Sequence, residues 1–232
     1  MRLLLALDAG SPTVSVAVGP PGEPRVERSV EIRRSSERLL EMVDECLREV
    51  GAELRELDGV VALRGPGSFT GLRVGLATAL GFHQALELPV AAVPTLEVLA
   101  LHGVLRARGD GGPPPGATVV AAVDALRGEW FVQPFRAPGP AAAPEPLDEP
   151  RIAGPPEVLA LEPVAVVGFG VHRVAEALAE APAGTPAPLW IEPDALAADA
   201  LRLAALRSLS WDGPELTAPL YLRPPAVSQP RR

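Results

Sequence analysis

The segment RGPGSFTGLR, at residues 64–73, constrains the fold of this chain more than any other stretch of its sequence. An apolar run over residues 57–63 precedes it, and residues 72–86 carry apolar side chains at helical spacing. This arrangement predicts a buried strand, a glycine turn and the first residues of a helix. The chain must therefore contain at least one strand-turn-helix unit of the α/β type.

Two interpretations of the glycine turn remain open. The amide groups of such a turn face one place in front of the positive end of the helix dipole, which suits an anion. A tight turn without a ligand explains the same residues, because Gly65 and Gly67 permit unusual backbone angles and Ser68 or Thr70 can cap the helix. The phosphate-binding pattern G-x-x-x-x-G-K-[ST] is not met, because Gly71 is not followed by lysine. All 21 basic residues are arginine, which excludes any mechanism that requires lysine.

Composition indicates a globular protein. The 232 residues are 47% hydrophobic, which is enough for one or two domains with a sizeable core. A net charge of −8 argues against a protein that binds nucleic acid unaided. No apolar run approaches the roughly 20 residues of a membrane span, and the first residues predict a strand rather than a secretion signal. The single cysteine excludes an internal disulfide framework. We expect a cytoplasmic protein without membrane contact.

The predicted elements of the first hundred residues follow the order β-β-β-α-β-α-β-α. The strands are predicted at residues 3–7, 13–18, 25–32, 57–63 and 90–93, and the helices at residues 35–51, 70–87 and 96–106. Further strands and helices after residue 117 repeat an α/β pattern, which predicts duplicated halves of the βββαβα type.

The composition changes after residue 107, because only 7 of the 28 prolines precede it. This change predicts an N-terminal domain, a linker and a smaller C-terminal domain that contains a loose Pro/Ala-rich excursion. A helix and tail then pack back toward the N-terminal domain, and a disordered tail ends the chain. These segments are predicted, in the same order, at residues 1–107, 108–116, 117–191 with the excursion at 136–157, 192–225 and 226–232.

Two glycine-containing turns offer weak candidates for a nucleotide site. The sequence DAGS, which begins at Asp8, ends the first predicted strand as the carboxylate and glycine turn of actin-like ATPases and sugar kinases do. Capping of its own hairpin turn by Asp8 is the favoured alternative. We treat Asp8, Ser11, Gly168 and Gly170 as vestigial candidates. Asp124 could be a kinase base or a turn cap, and the sequence does not separate these roles.

No catalytic residue, metal site or cofactor is predicted. His83, His102 and His172 lie far apart and lack the spacing of metal ligands on a helix. Ser68 is not followed two residues later by the glycine that a G-x-S-x-G nucleophile elbow needs. Cys46 falls on the apolar stripe of a helix, where a core thiol is expected.

Small residues recur at every fourth position of the helix predicted at 70–87. Packing against the protein's own sheet explains this spacing, but leucines nearby offer a second apolar face, which favours an oligomer or partner interface. The apolar stripe of the helix at 35–51 is taken as part of the same interface. The predicted interface residues are Leu39, Val43, Cys46, Leu72, Gly75, Leu76 and Ala79.

Several segments together resemble the TsaB family, also called YeaZ. They are LALDAGSPTVSVAV at the start, the SERLLEMVDECL helix, RGPGSFTGLR with the GLATALGF helix after it, VDALRGEWF in the middle and PLYLR near the end. GPGSFTGLR is the specific part of this resemblance, and the segments follow the family's order over most of the chain. Residues 136–157 take no part in it.

The resemblance implies a two-domain fold of the actin-like ATPase and sugar-kinase (ASKHA) class and a non-catalytic role. Such proteins support the addition of a threonylcarbamoyl group to the adenosine beside the tRNA anticodon. They bind a TsaD-like catalytic subunit through N-terminal helices, a TsaE-like ATPase joins them, and they form homodimers alone. Contact with tRNA would then occur only through the complex. The alternatives are an ATP-dependent small-molecule kinase that uses Asp8 and Asp124, and a peptidase-like protein.

Overall fold

The computed structural model describes residues 2–31, 35–107, 113–126, 128–139, 142–177, 187–212 and 219–222. These residues form two β-sheets with helices on both faces, as the α/β prediction requires. The tail predicted at 226–232 and most of the linker predicted at 108–116 lie outside the described residues.

The first sheet has the strand order β3-β2-β1-β4-β5. Its strands are β1 (Leu4–Asp8), β2 (Thr13–Gly19), β3 (Val26–Glu31), β4 (Gly59–Leu63) and β5 (Val90–Val93). The first three strands are antiparallel neighbours, whereas β4 and β5 continue the sheet parallel to β1. The helices of this half are α1 (Ser35–Val50), α2 (Phe69–Leu86) and α3 (Thr95–Arg106), and a 3-10 turn covers Leu54–Glu56. Parallel neighbouring strands must be joined by long crossover connections, and helices commonly form these connections.

The second sheet repeats this order as β8-β7-β6-β10-β11, with β9 also paired to β7. Its strands are β6 (Thr118–Asp124), β7 (Trp130–Arg136), β8 (Glu145–Pro146), β9 (Arg151–Ala153), β10 (Ala165–Val167) and β11 (Leu189–Ile191). The helices are α4 (Pro155–Leu159), α5 (Val171–Ala177) and α6 (Ala197–Leu206). In both halves an antiparallel group precedes two parallel strands, which confirms the predicted duplication.

Three apolar layers result from alternation along the strands. In β1, Leu5 and Leu7 face α1 and α2, whereas Leu4 and Ala6 belong to the layer that contains α3 and α6. This middle layer joins both sheets, because α3 packs on β6 and β10 while α6 packs on β1 and β2. The third layer lies on the outer face of the second sheet.

The prediction of a loose excursion at 136–157 is wrong, because this stretch supplies β8, β9 and the start of α4. Both strands pair with β7 at the edge of the sheet. At an edge the missing N–H of Pro146 removes no ladder hydrogen bond. Pro155 occupies the first position of α4, where proline is favoured. The prolines that indicated a loop therefore occupy positions that regular structure tolerates.

Candidate functional site

The turn between β4 and α2 places Ser68 as the N-cap of the helix. Ser68 Oγ accepts a hydrogen bond from the amide of Gly71 at 3.3 Å. Thr70, the other candidate cap, lies exposed in the first turn of α2. Gly65 adopts a φ of +105°, a conformation that side chains disfavour. The local signals in this segment therefore set the start of α2.

The same turn packs directly on the backbone of the β1–β2 turn. The amide of Ser68 donates to the carbonyl oxygen of Gly10 at 2.7 Å. A Cβ atom added at Gly67 would lie 2.6 Å from that oxygen, and one at Gly71 would lie 1.9 Å from the carbonyl oxygen of Ala9. Glycine at both positions permits a backbone-to-backbone contact that any side chain would prevent.

Three of the amides at the start of α2 are engaged within the chain. Ser68 donates to Gly10, Gly71 donates to Ser68 Oγ, and the amide of Leu72 donates to the Ser68 carbonyl at 2.9 Å. An anion that used these three amides would have to replace their acceptors. The geometry therefore favours the interpretation of the turn as a packing element.

Asp8 lies at the end of β1 and is fully buried. Its Oδ1 accepts hydrogen bonds from the amides of Gly10 at 3.0 Å and Ser11 at 3.2 Å, which is the geometry of a turn cap. Burial raises the pKa of Asp8 to about 6, against the lowering effect of the bonds from Ser11 and Gly10. Among the described residues, its Oδ2 and the Ser11 hydroxyl have no hydrogen-bond partner.

The second candidate turn, Gly168 to Gly170, follows β10. A Cβ atom at Gly168 would lie 1.7 Å from the carbonyl oxygen of Ala122, so this turn also approaches the first strand of its sheet closely. The amide of Gly170 donates to Glu192 Oε1 at 2.8 Å. The Glu192 carboxylate thus accepts the hydrogen bond of an amide that could otherwise bind a phosphate.

A cleft of ≈ 510 Å³ separates these two turns, and we call it the interdomain cleft. Gly10 and Ser68 line one side, and Asp124, Gly170 and Arg173 line the other. Asp124 Oδ2 pairs with Arg173 at 2.8 Å, and its Oδ1 accepts the amide of Leu126 at 2.7 Å. The carboxylate is therefore both a turn cap and an ion-pair partner, which leaves it poorly placed to act as a base.

A C-terminal segment, residues 219–222, covers the start of α2. The amide of Leu220 donates to the carbonyl oxygen of Arg64 at 2.7 Å. The ring of Tyr221 lies 5.0 Å from that of Phe69, and its hydroxyl is 3.3 Å from Arg73 Nε. Arg73 in turn lies 3.9 Å above the Phe69 ring. Tyr221 of this C-terminal segment therefore contacts two side chains of the RGPGSFTGLR segment, Phe69 and Arg73.

The residues predicted for the interface lie on the inner faces of α1 and α2. Every one of the seven is buried within this chain, although Val43 also lines a surface cleft. Gly75, for example, would place a Cβ atom 3.4 Å from the Cβ of Ala9. The buried residues are Leu39, Val43, Cys46, Leu72, Gly75, Leu76 and Ala79. Their spacing reflects packing on the first sheet, the alternative that the sequence left open.

The outer faces of α1 and α2 instead form an apolar cleft of ≈ 350 Å³. Leu40 is 57% exposed at this apolar cleft. Leu47, Leu54 and Phe82 line it as well, together with Val43. At its rim, Asp44 and Arg48 form an ion pair one helical turn apart. Leu40 and Phe82 were missed because Leu40 lies one residue beyond the buried stripe and Phe82 lies near the end of α2.

Each histidine lies beside one carboxylate. His102 Nδ1 is 2.6 Å from Asp199 Oδ2, His83 Nδ1 is 3.4 Å from Asp212 Oδ1, and His172 Nε2 is 3.5 Å from Glu192 Oε2. Among the described residues, no three histidine, cysteine or acidic side chains are grouped as metal ligands would be. None of the described helices combines the length and apolar composition that crossing a bilayer needs.

Together, the strand order, the duplicated halves and a glycine turn at the equivalent place in each half define a two-domain protein of the actin-like ATPase and sugar-kinase fold. The family model described as TsaD, tRNA N6-adenosine threonylcarbamoyltransferase, matches residues 29–150, which is more than half of the chain. The structure of YeaZ from Pseudomonas aeruginosa superposes with a TM-score of 0.70 at 29% identity, over 88% of this chain and 91% of that one. A second structure, described as an uncharacterized protein similar to peptidase YeaZ, reaches 0.73 at 28% identity, over 96% and 100%.

Sequence relatives agree with the structures. The Escherichia coli tRNA threonylcarbamoyladenosine biosynthesis protein TsaB is 35% identical over 128 residues, which are 55% of this chain and 52% of that protein. An uncharacterized Mycobacterium tuberculosis protein, Rv3421c, is 31% identical over 230 residues, which are 96% and 92% of the two chains. The chain spans about half the length of the first TsaB relatives that it matches, 52% and 54%. This chain belongs to the TsaB/YeaZ family.

Proposed function

We propose that this chain is a non-catalytic subunit in tRNA threonylcarbamoyladenosine biosynthesis, where it binds and activates a TsaD-type catalytic subunit. The family membership supports the pathway, since relatives carry that name. The non-catalytic role is supported by the pairing of the acidic groups around the interdomain cleft. Asp124 is bound by Arg173, and Glu192 is bound by the amide of Gly170.

The observation that carries this proposal is the apolar cleft on the outer faces of α1 and α2. A leucine that is more than half exposed beside a phenylalanine and a second leucine suits an apolar side chain from a partner helix. The charged rim, with Asp44 and Arg48, offers polar contacts around that apolar centre. The occupant we propose is a helix of the TsaD-type subunit.

The other partners follow from the same arrangement. In the absence of the catalytic subunit, the apolar clefts of two copies of this chain would pack against each other and form a homodimer. A TsaE-like ATPase would join the heterodimer. With a net charge of −8, this chain is expected to reach tRNA only as part of the complex.

Co-expression with a TsaD-type protein from the same organism, followed by size-exclusion chromatography, tests the proposal. We expect the unaltered chain to co-elute with that partner. Leu40→Glu places a charge in the apolar cleft and is expected to weaken binding at least about tenfold, because desolvating an unpaired carboxylate costs well over 1.4 kcal/mol.

The matched control is Leu189→Glu, which changes a leucine of similar exposure, 53%, on the second sheet. This variant should co-elute as the unaltered chain does, and circular dichroism should show both variants folded. Co-elution of Leu40→Glu at unchanged affinity would contradict the use of this cleft. Failure of the unaltered chain to co-elute under varied salt and nucleotide would contradict the proposed function itself.

A further inference from the structure

The apolar cleft lies in a strongly acidic part of the chain. Residues 38–58, which run from α1 to the residue before β4, contain seven acidic side chains against three arginines. Their net charge of −4 is half of the −8 of the whole chain, although they make up less than a tenth of its length. The surface around the apolar cleft therefore carries far more negative charge than its share.

Neighbouring charges reduce this excess without reversing it. Arg28 of β3 pairs with Glu49 on α1. Three more charged residues, Arg33, Arg34 and Glu37, precede the stretch directly in the sequence. When these three and Arg28 are counted as well, the net charge is still −2.

Two carboxylates and one guanidinium lie at the edge of the apolar cleft itself. Among its described lining residues, Asp44, Arg48 and Glu53 are charged, and α2 contributes the uncharged Phe82. Asp44 pairs with Arg48, and Glu53 pairs with Arg55 at 3.1 Å. The two acidic side chains are 63% and 71% exposed, and exposed pairs of this kind are weak. Both carboxylates therefore remain available to a positive group of a partner.

A homodimer through the apolar cleft would place this acidic surface against itself. A two-fold interface brings the same patch of both subunits together. The apolar side chains of the cleft favour such a dimer, but the like charges around them oppose it. A partner that supplies positive charge around the same apolar contact avoids this repulsion.

We propose that the acidic surface around the apolar cleft selects a basic partner. The occupant is an amphipathic helix whose apolar side chains enter the cleft and whose flanking arginine or lysine side chains face Asp44 and Glu53. The same carboxylates make a second copy of this chain the weaker occupant, so that the basic helix displaces it. This selection depends on the proposed function, in which a helix of the TsaD-type subunit binds the apolar cleft.

Binding at several salt concentrations tests the proposal, because a basic and an acidic occupant respond to salt in opposite ways. Sodium chloride from about 50 to 500 mM shortens the range of charge interactions several-fold. In surface plasmon resonance, the rate constant for association with the TsaD-type protein of the same organism should fall about tenfold or more over this range. In analytical ultracentrifugation of the chain alone, the homodimer should become tighter over the same range.

The double variant Asp44→Arg with Glu53→Arg separates local charge from total charge. At about 150 mM salt it should associate with the TsaD-type protein about tenfold more slowly and form the homodimer more tightly than the unaltered chain. The matched control is Asp148→Arg with Glu145→Arg, in and beside β8. These acids are 61% and 71% exposed and are also ion-paired. The control makes the same change in total charge and should alter both measurements by less than about twofold.

The outcomes separate this selection from the proposed function. Association that salt leaves unchanged or accelerates would overturn the basic partner, and so would equal effects of the two double variants; in both cases binding persists and the proposed function stands. A homodimer that salt weakens would overturn the selection against a second copy. If the unaltered chain failed to bind the TsaD-type protein at every salt concentration, the proposed function would be contradicted and the selection with it.

Discussion

The two glycine turns occupy equivalent places in the two halves, yet different groups close them. After β4, the amide of Ser68 donates to the backbone oxygen of Gly10. After β10, the amide of Gly170 donates to the side chain of Glu192. In both halves a glycine packs closely on backbone, Gly71 on Ala9 just after β1 and Gly168 on Ala122 within β6.

This difference determines which substitutions would disturb each turn. The contact between the first turn and the β1–β2 turn is made by backbone atoms on both sides, so an added side chain is the change that disturbs it most directly. The second turn depends on one carboxylate, which can be removed without touching the backbone. The first turn should therefore respond to changes at glycine, and the second should respond to a change at Glu192.

The largest effect is expected for Gly71→Ala. Its new Cβ would lie 1.9 Å from the Ala9 carbonyl oxygen, a contact that requires the two turns to separate. We expect a loss of about 3 kcal/mol or more in the free energy of unfolding, at or beyond the upper end of overpacking effects. Urea unfolding followed by circular dichroism measures it.

Gly81→Ala is the matched control, because Gly81 lies in the same helix and a Cβ there meets no atom within 4 Å. The greater helix propensity of alanine should stabilise this variant by roughly 0.5–1 kcal/mol. If Gly71→Ala were as stable as Gly81→Ala, the close contact between the two turns would be refuted.

A smaller effect, which depends on pH, is expected from Asp8 at the base of the first turn. Its pKa of about 6 in the folded protein exceeds the ordinary value of 3.8. The folded state binds this proton more tightly, so the resulting stability is complete below pH 4 and is lost as the pH rises through 6.

Asp8→Asn cannot ionise and should remove that dependence on pH. The stability difference between the unaltered chain and the variant should move by about 2 to 3 kcal/mol in favour of the variant between pH 4 and pH 7. Urea unfolding across this range measures the difference. A constant difference would mean that Asp8 titrates as an ordinary carboxyl group.

The smallest effect is expected for Glu192→Ala in the second turn. Loss of the acceptor leaves the Gly170 amide to water, which should cost about 1 kcal/mol at this partly exposed site. Glu149→Ala, at an exposed glutamate, should change stability by less than about 0.5 kcal/mol. Thermal unfolding of both variants checks this, and equal stabilities would remove the role given to Glu192.

Local signals in the sequence were sufficient to predict where α1 ends and where α2 begins. Gly51 adopts a φ of +69° just after α1, and Ser68 caps α2, as their residue types predict. The helix over 96–106 was less well predicted, since α3 includes Thr95 and its N-cap is Pro94. Such signals act within a few residues and need no knowledge of the partner element.

Contacts between distant segments could not be predicted in this way. The periodicity of α1 and α2 identified their apolar residues but not the surface against which they pack. The pair of His102 and Asp199 joins residues 97 positions apart. The amides of Leu196 and Ala197 at the start of α6 donate to Ser15 Oγ, about 180 positions earlier, in place of a cap in their own segment.

The exchange of helices between the two halves also determines when the first half can fold during synthesis. The face of β1 and β2 that belongs to the middle layer is covered by α6, whereas α3 from the first half lies on β6 and β10. A nascent chain that ended before residue 197 would leave that face of its first sheet uncovered. Each half thus completes its core only with a helix encoded in the other, so synthesis must reach α6 before the first half can fold stably.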